Sequence, residues 1–335
     1  MNKELELKLI EEIKKNNLTL KDIDEQTEEI CIAAVKRNGH NLKYVNNQSE
    51  RICIAAVMET GYALLDVKDQ TERICLAAVK QNGYVLQYVE NQTERICIAA
   101  VTDYSLGLEY VKNKTKAICL TAVKLNGLAL RYVNDKTKNI CLKAVKENGA
   151  ALKYVEDQTE ELCLAAVKQN PLALQYVKDE YKTEDICLEA VKNYGLMLNW
   201  VKNKTQEMCL EAVKNDGYAL RSVKDKTEEM CLEAVKQNGL ALKYVKNQSE
   251  EICLEAFKQN QQSIYLANIN KRNIALLTLK NYLQLKNKDI KILNRIIKRF
   301  SDDQEFIDFY TKHKLWKYVD FTKLDNKLTQ YGMIL

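Results

Sequence analysis

Residues 227–248 read TEEMCLEAVKQNGLALKYVKNQ, and Ser249-Glu250-Glu251-Ile252-Cys253-Leu254-Glu255-Ala256 opens the same phrase again. Its cysteine recurs at positions 31, 53, 75, 97, 119, 141, 163, 187, 209, 231 and 253. Every interval is 22 residues except the 24 between Cys163 and Cys187, where two extra residues lie within Lys178-Asp179-Glu180-Tyr181-Lys182. All eleven cysteines of the chain therefore belong to one repeat, S/T-E-E-I/L/M-C-I/L-x-A-V-K-x-N-G-x-A-L-x-Y-V. A unit this short cannot bury its own apolar stripe, so the sustained period predicts units stacked into a solenoid. A worn copy precedes the first cysteine, with Leu9 in the Cys slot, Ile13 in the Val slot, Leu20 in the Leu slot and Ile23 in the final Val slot. The last copy is worn too: Phe257, Gln261 and Leu266-Ala267 replace Val, Gly and Tyr-Val. The expected fold class is an all-α solenoid of about twelve two-helix repeats over residues 1–270, with a helical C-terminal region over 271–335.

Within each copy the residues predict two helices. The Ser or Thr is suited to accept an orphan N–H of the first turn of helix A, and the following pair of Glu, as in Glu28-Glu29 or Glu228-Glu229, suits the positive end of the helix dipole. Ile30, Cys31, Ala34 and Val35 recur at helical spacing. The Ala34 slot is Ala in all eleven copies, which predicts a neighbouring backbone too close for anything larger. Asn-Gly closes helix A. Pro171 stands in one Gly slot, so that slot does not require positive φ there, and Asn170 is expected to cap a helix B that Pro171 begins. Helix B is expected to span about two turns, with Leu42 and Val45 as i, i+3 partners and a half-exposed Tyr slot that tolerates Trp200, Asp66 and Ser222.

The chain is 46% hydrophobic and 29% charged, with one proline and ten glycines in 335 residues. No run approaches the ~20 apolar residues of a membrane-spanning helix, and the N-terminal MNKELELKLIEEIKK lacks the apolar core of a signal peptide. A cytoplasmic location without membrane contact is expected. The cysteines read as small buried hydrophobes in a reducing compartment. Equivalent positions lie about one repeat, ~8–10 Å, apart, too far for disulfides. Zinc would need ligands gathered within ~2.3 Å of one point, and no histidine ladder accompanies the cysteines. His40 falls in a variable, solvated slot and His313 in the charged tail. No Gly-rich phosphate loop is present. The expectation is a non-enzyme with no catalytic residues, metal or cofactor.

Charge changes along the repeat. The second residue of helix A is Arg51, Arg73 and Arg95 in early copies, but Glu161, Asp185, Glu207, Glu229 and Glu251 in later ones. Four residues on, Ala33, Ala55, Ala77 and Ala99 give way to Glu189, Glu211, Glu233 and Glu255. The eight acidic residues Asp185, Glu189, Glu207, Glu211, Glu229, Glu233, Glu251 and Glu255 form a candidate ridge for a basic protein partner. Against it stands a solvated face in which Lys214 partly neutralises Glu211. The region from 271 carries fourteen Lys and Arg against seven Asp and Glu. There Lys288, Lys291, Arg295 and Arg299 share one face of an amphipathic helix whose other face holds Leu293, Ile296, Ile297 and Phe300. This is a candidate basic surface for nucleic acid, the alternative reading; the bland one is a cap on the last repeat. Ser301-Asp302-Asp303-Gln304 reads as a capping box.

The phrase E-I/L-C-L-x-A-V-K-x-N-G-x-A-L-x-Y-V resembles the repeat of domain-of-unknown-function family 4116, over residues 27–248 most closely and over 5–26 and 249–270 more loosely. Members often carry Pro after Tyr-Val, where this chain has Asn46, Lys112 or Glu156. The family has no assigned activity, so the resemblance carries over no functional residues. It implies a setting in giant DNA viruses of amoebae, protists or bacteria, and hence a viral protein in host cytoplasm. Taken together, the sequence predicts a protein-interaction scaffold, with nucleic-acid binding or a structural virion role as the alternatives.

Overall fold

The computed structural model describes residues 2–282, 292, 295, 296, 299 and 303–313. Among them every regular element is helical. Eleven A helices, from Glu28–Arg37 to Glu250–Gln259, are ten residues each, and each is followed by a six-residue B helix, from Gly39–Tyr44 to Gln261–Leu266. Lys3–Lys14 and the short turn Leu20–Asp22 form the worn first pair, giving twelve pairs. The chain divides into two compact units, Met1–Tyr181 and Lys182–Leu335, and the division falls inside the two-residue insertion. Within each unit successive A helices pack on one another.

A ten-residue helix is marginal alone, since isolated helices need ~12–15 residues. Its ends and its buried stripe must stabilise it. Ser49 shows the start: its backbone is extended (φ −73°, ψ 156°), and its hydroxyl oxygen accepts from the Ile52 N–H at 3.4 Å. The stripe Ile52, Cys53, Ala56 and Val57 is buried, as are its equivalents in the other copies. The end comes at Asn38, whose extended backbone (φ −152°) breaks the helical path while its side chain accepts the His40 N–H at 3.0 Å. Asn170 does the same for Leu172 behind Pro171, as the sequence predicts.

Helix B refines the expected two-turn helix. It is a 3-10 helix that begins at the glycine and ends at the tyrosine. The Asn41 N–H donates to Asn38 O at 2.9 Å, and the Val45 N–H donates to Leu42 O at 3.0 Å. With three residues per turn, positions i and i+3 eclipse. Gly39, Leu42 and Val45 therefore share one buried edge, while His40 and Lys43 face out. The glycine is buried for this reason. A Cβ at Gly39 would lie 2.6 Å from the Ala56 carbonyl oxygen and 2.7 Å from Thr60 Cγ2. Gly127, Gly149, Gly195, Gly217 and Gly239 face the matching alanine carbonyl in the same way. At these glycines the reason is close approach, not a left-handed backbone. The helix that comes close is the one carrying the constant alanine.

In the second unit the chain continues past the repeats as the helix Arg272–Tyr282, which packs on Glu250–Gln259 and buries Ile274, Ala275, Leu279 and Tyr282. A further helix, Gln304–Lys312, follows. Its start corrects the expected capping box. The helix begins after Asp303, whose Oδ1 accepts the Glu305 N–H at 3.1 Å. Ser301 and Asp302 lie outside the described residues. Asp303 also receives Arg272 Nε at 2.6 Å, and Glu305 receives Arg272 Nη2 at 2.8 Å, tying the two helices together.

Gly39→Ala should lower stability by about 1–3 kcal/mol, the usual range for overpacking a filled site, because backbone atoms cannot yield. Gly107→Ala should cost far less, since the added carbon meets only the Tyr104 ring at 3.3 Å and Gly83 O at 3.8 Å. Urea midpoints of the two variants check this.

Candidate functional site

The repeat junctions carry the most constant chemistry. Gln48 precedes helix Glu50–Glu59 and turns its amide back between two B helices. Its Nε2 donates to Leu42 O at 3.2 Å and to Asp66 O of the next copy at 2.9 Å. Its Oε1 accepts the Lys68 N–H at 2.9 Å and the Cys53 thiol at 3.9 Å. One side chain thus answers backbone groups that two short helices leave open. Gln26, Gln70, Gln92, Gln158 and Gln248 repeat the bridge. In other copies lysine stands there, and Lys114, Lys204 and Lys226 donate only to the valine carbonyl three residues before them.

A second cross-copy contact sits at the glycine. The Gly61 N–H donates to Gln81 Oε1 at 2.6 Å, and Gly83, Gly149, Gly195, Gly217 and Gly239 donate to Asp103, Gln169, Asn215, Gln237 and Gln259. The sequence reading passed over both amide ladders. The Gln before Ser/Thr in six of the eleven copies, and the Gln, Asn or Asp that closes helix A in the copies that follow those glycines, were the available signals.

A third ladder links helix starts. Thr71 and Thr93 donate their hydroxyls to Glu50 and Glu72 of the preceding copy, both at 2.9 Å, while Ser49 donates to Glu28. The Ser49 hydroxyl, and then Arg51, hold the Glu28 carboxyl below the usual carboxylate range. Lys116 occupies the matching slot before Thr137, and the buried Thr137 hydroxyl accordingly has no partner.

The structure sorts the eight acidic residues into two columns on the A helices Glu184–Asn193, Gln206–Asn215, Glu228–Gln237 and Glu250–Gln259. Glu211, Glu233 and Glu255 are half-buried and paired with Lys214, Lys236 and Lys258 at 3.2, 2.9 and 2.6 Å. The Glu233 carboxylate keeps Lys236 charged to higher pH than usual. Glu189 instead accepts from Asn193 at 3.0 Å. Asp185, Glu207, Glu229 and Glu251 are exposed and form no ion pair among the described residues.

Cationic groups are distributed differently. Arg51 bonds Glu29 at 2.8 Å and Glu28 at 3.2 Å, and Arg73 bonds Glu50 at 2.7 Å. The early arginines are thus partly neutralised by the carboxylates beside them. Arg295 and Arg299 are helical and exposed, and Ile296 of the expected apolar face is buried, as is Ile292; Leu293, Ile297 and Phe300 lie outside the described residues. Lys288 and Lys291 lie outside the described residues. His40 is exposed, as expected, and its Nδ1 lies 2.9 Å from Asp66 Oδ2, the residue that replaces tyrosine in the next copy.

A cleft of about 820 Å³ lies between the copies around Lys224–Glu228 and Lys246–Ser249. Its Lys226 and Lys271 ammonium groups donate to Val223 O at 2.7 Å and Gln248 O at 2.9 Å, and Asp225 and Glu228 mix with the lysines. Among the described residues no group of three or more His, Cys, Asp and Glu is placed to hold a metal ion.

The model described as domain of unknown function (DUF4116) matches residues 115–158, 159–206, 205–249 and 227–271. Residues 115–271 carry tandem DUF4116 repeats. No curated protein and no solved structure matches the chain. The DUF4116 match begins with the copy opened by Thr115 and runs through the worn copy opened by Ser249. Among the described residues no helix is long and apolar enough to cross a membrane.

All eleven cysteines of the repeat are buried and free. Burial pushes each thiol above its ordinary value, Cys75 and Cys163 to about 11 and Cys253 to about 12. In the unfolded chain a thiol ionises near ~8.5. The folded state therefore keeps protons that the unfolded state has lost, so this stabilisation is complete below ~8.5 and disappears as pH rises through the folded values. Urea midpoints should fall steeply above about pH 9, and the combined variant Cys75→Ala, Cys163→Ala, Cys253→Ala should show a shallower fall. At neutral pH a thiol reagent should label the native chain far more slowly than the denatured one.

Proposed function

We propose that the chain is a non-enzymatic protein-interaction scaffold whose exposed acidic column takes a basic segment of a protein partner. One observation carries the reading. Asp185, Glu207, Glu229 and Glu251 stand at the same place on four consecutive A helices, exposed and without an ion pair among the described residues, beside a second acidic column of which three of the four members have lysine partners. Such a row is a focused negative field at one repeat's pitch, suited to speed the capture of a cationic chain. Neutralised neighbours set its edge. The cysteines, buried and reduced, suit a reducing compartment, consistent with the host cytoplasm that the family resemblance implies for a viral protein.

Nucleic-acid binding is the second reading, favoured by Arg295 and Arg299, exposed one helical turn apart. The pairing of Arg51 and Arg73 with glutamates weakens any extension of that surface to the early copies.

A tagged pull-down from host-cell lysate, with and without nuclease, separates the two. Protein partners that survive nuclease are expected. The combined substitution Glu207→Lys, Glu229→Lys, Glu251→Lys should weaken their capture at least tenfold while leaving the thermal midpoint within about a degree, because exposed charges without partners add little to stability. Unchanged capture would remove the column as the site, and loss of all partners with nuclease would favour the basic surface.

A further inference from the structure

We propose that the groove between helices Glu50–Glu59 and Glu72–Gln81 docks an acidic amphipathic helix of a protein partner. The inference rests on the scaffold reading and adds a surface of opposite chemistry in the first unit. The groove encloses about 510 Å³ and is lined by Ile54, Met58, Leu76 and Ala77, with Arg73 and Lys80 as its charged groups. Both are cations.

Departures from the repeat create it. The Met58 slot holds lysine in nine of eleven copies. Here it holds a methionine whose surface is 66% exposed. Met58 is continuous with Ile54, Leu76 and Ala77 in the groove, and contiguous apolar surface, unlike a single exposed side chain, marks contact sites; methionine adapts to varied partners. The Ala77 slot becomes glutamate in the last four copies, where three of those carboxylates bond the lysine three residues on. Alanine at this slot leaves the floor open, and methionine in the neighbouring copy's lysine slot leaves the wall apolar. The wall is also held still, because Gln81 Oε1 is fixed by the Gly61 N–H at 2.6 Å.

The charges choose the occupant. Arg73 is 76% exposed and bonds Glu50 through Nη1, leaving other guanidinium N–H groups for an incoming carboxylate. Lys80 is exposed and has no ion pair among the described residues. A helix that lays leucines at i, i+3, i+4 and i+7 into the groove and carries glutamates on its flanks satisfies both features.

The test is fluorescence anisotropy of the full chain with a labelled synthetic helix of Leu, Ala and Glu in amphipathic order. A scrambled peptide and one with Lys for Glu serve as controls. Met58→Thr and Ala77→Glu are the variants, since other copies carry Thr102 and Glu211 in those slots and keep the repeat fold; circular dichroism checks each. Saturable binding of the acidic helix is expected, weakened at least tenfold by either variant and by both control sequences, and unaffected by Glu229→Lys. The proposal is overturned by absence of saturable binding at low salt, by equal binding to the variants, or by preference for the lysine peptide. A dimer that Met58→Thr dissociates would place a second copy in the groove and also overturn it. Failure of the acidic column alone would leave this binding intact, so the two readings fail separately.

Discussion

In eight of the eleven cysteine-bearing copies a buried glycine at the start of helix B meets an alanine carbonyl of the next copy. That contact sets the distance between copies, and the distance decides what else fits. A 3-10 helix of two turns exposes open backbone groups at both ends. Only side chains reaching across a junction of this width can answer them. The Gln48 amide and the Gln81 amide both do so, one from the loop before a helix A and one from the end of a helix A. The apolar stripe supplies the driving force, but the polar bridges fix one register between copies.

Much of this was legible in the sequence. The cysteine period gave the number of pairs, the Ser/Thr-Glu-Glu opening gave the helix starts, and Pro171 showed that the glycine slot needed no left-handed backbone. Helix B was harder. Leu42 and Val45 are three apart in either an α- or a 3-10 helix, so spacing alone could not separate the two; the buried Gly39 completes the three-residue period. The amide ladders escaped notice because glutamine on a loop reads as solvated until its neighbours in space are known. The capping box failed for a related reason: Asp303 is drawn to Arg272, thirty-one residues away, and a contact at that range leaves no local pattern.

Charge was legible as a trend and not as a set of pairs. The acidic ridge is two columns with different fates, and the split depends on the lysine that follows one of them by three residues. The pairings of Arg51, Arg73 and His40 leave no mark in the local sequence. Their partners lie on adjacent copies, about one period away in the sequence. In a repeat protein such partners share a slot relationship, so a search at fixed offsets of 20 to 23 residues would have found Glu28 for Arg51, Gln81 for Gly61 and Glu50 for Thr71.

The exchange of Gln for Lys before helix A has a mechanical meaning. A glutamine junction reaches across to the B helix of the next copy, and Gln26, Gln48, Gln92 and Gln248 bond their own side as well, whereas a lysine junction at Lys114, Lys204 or Lys226 fastens only to its own side. Nearest-neighbour coupling in a stacked array is the sum of such stitches. Glutamine sits at the first four junctions, Gln26, Gln48, Gln70 and Gln92, and lysine follows at Lys114 and Lys136. Stiffness is therefore written unevenly along the chain, with firm blocks separated by seams that yield first under bending or tension.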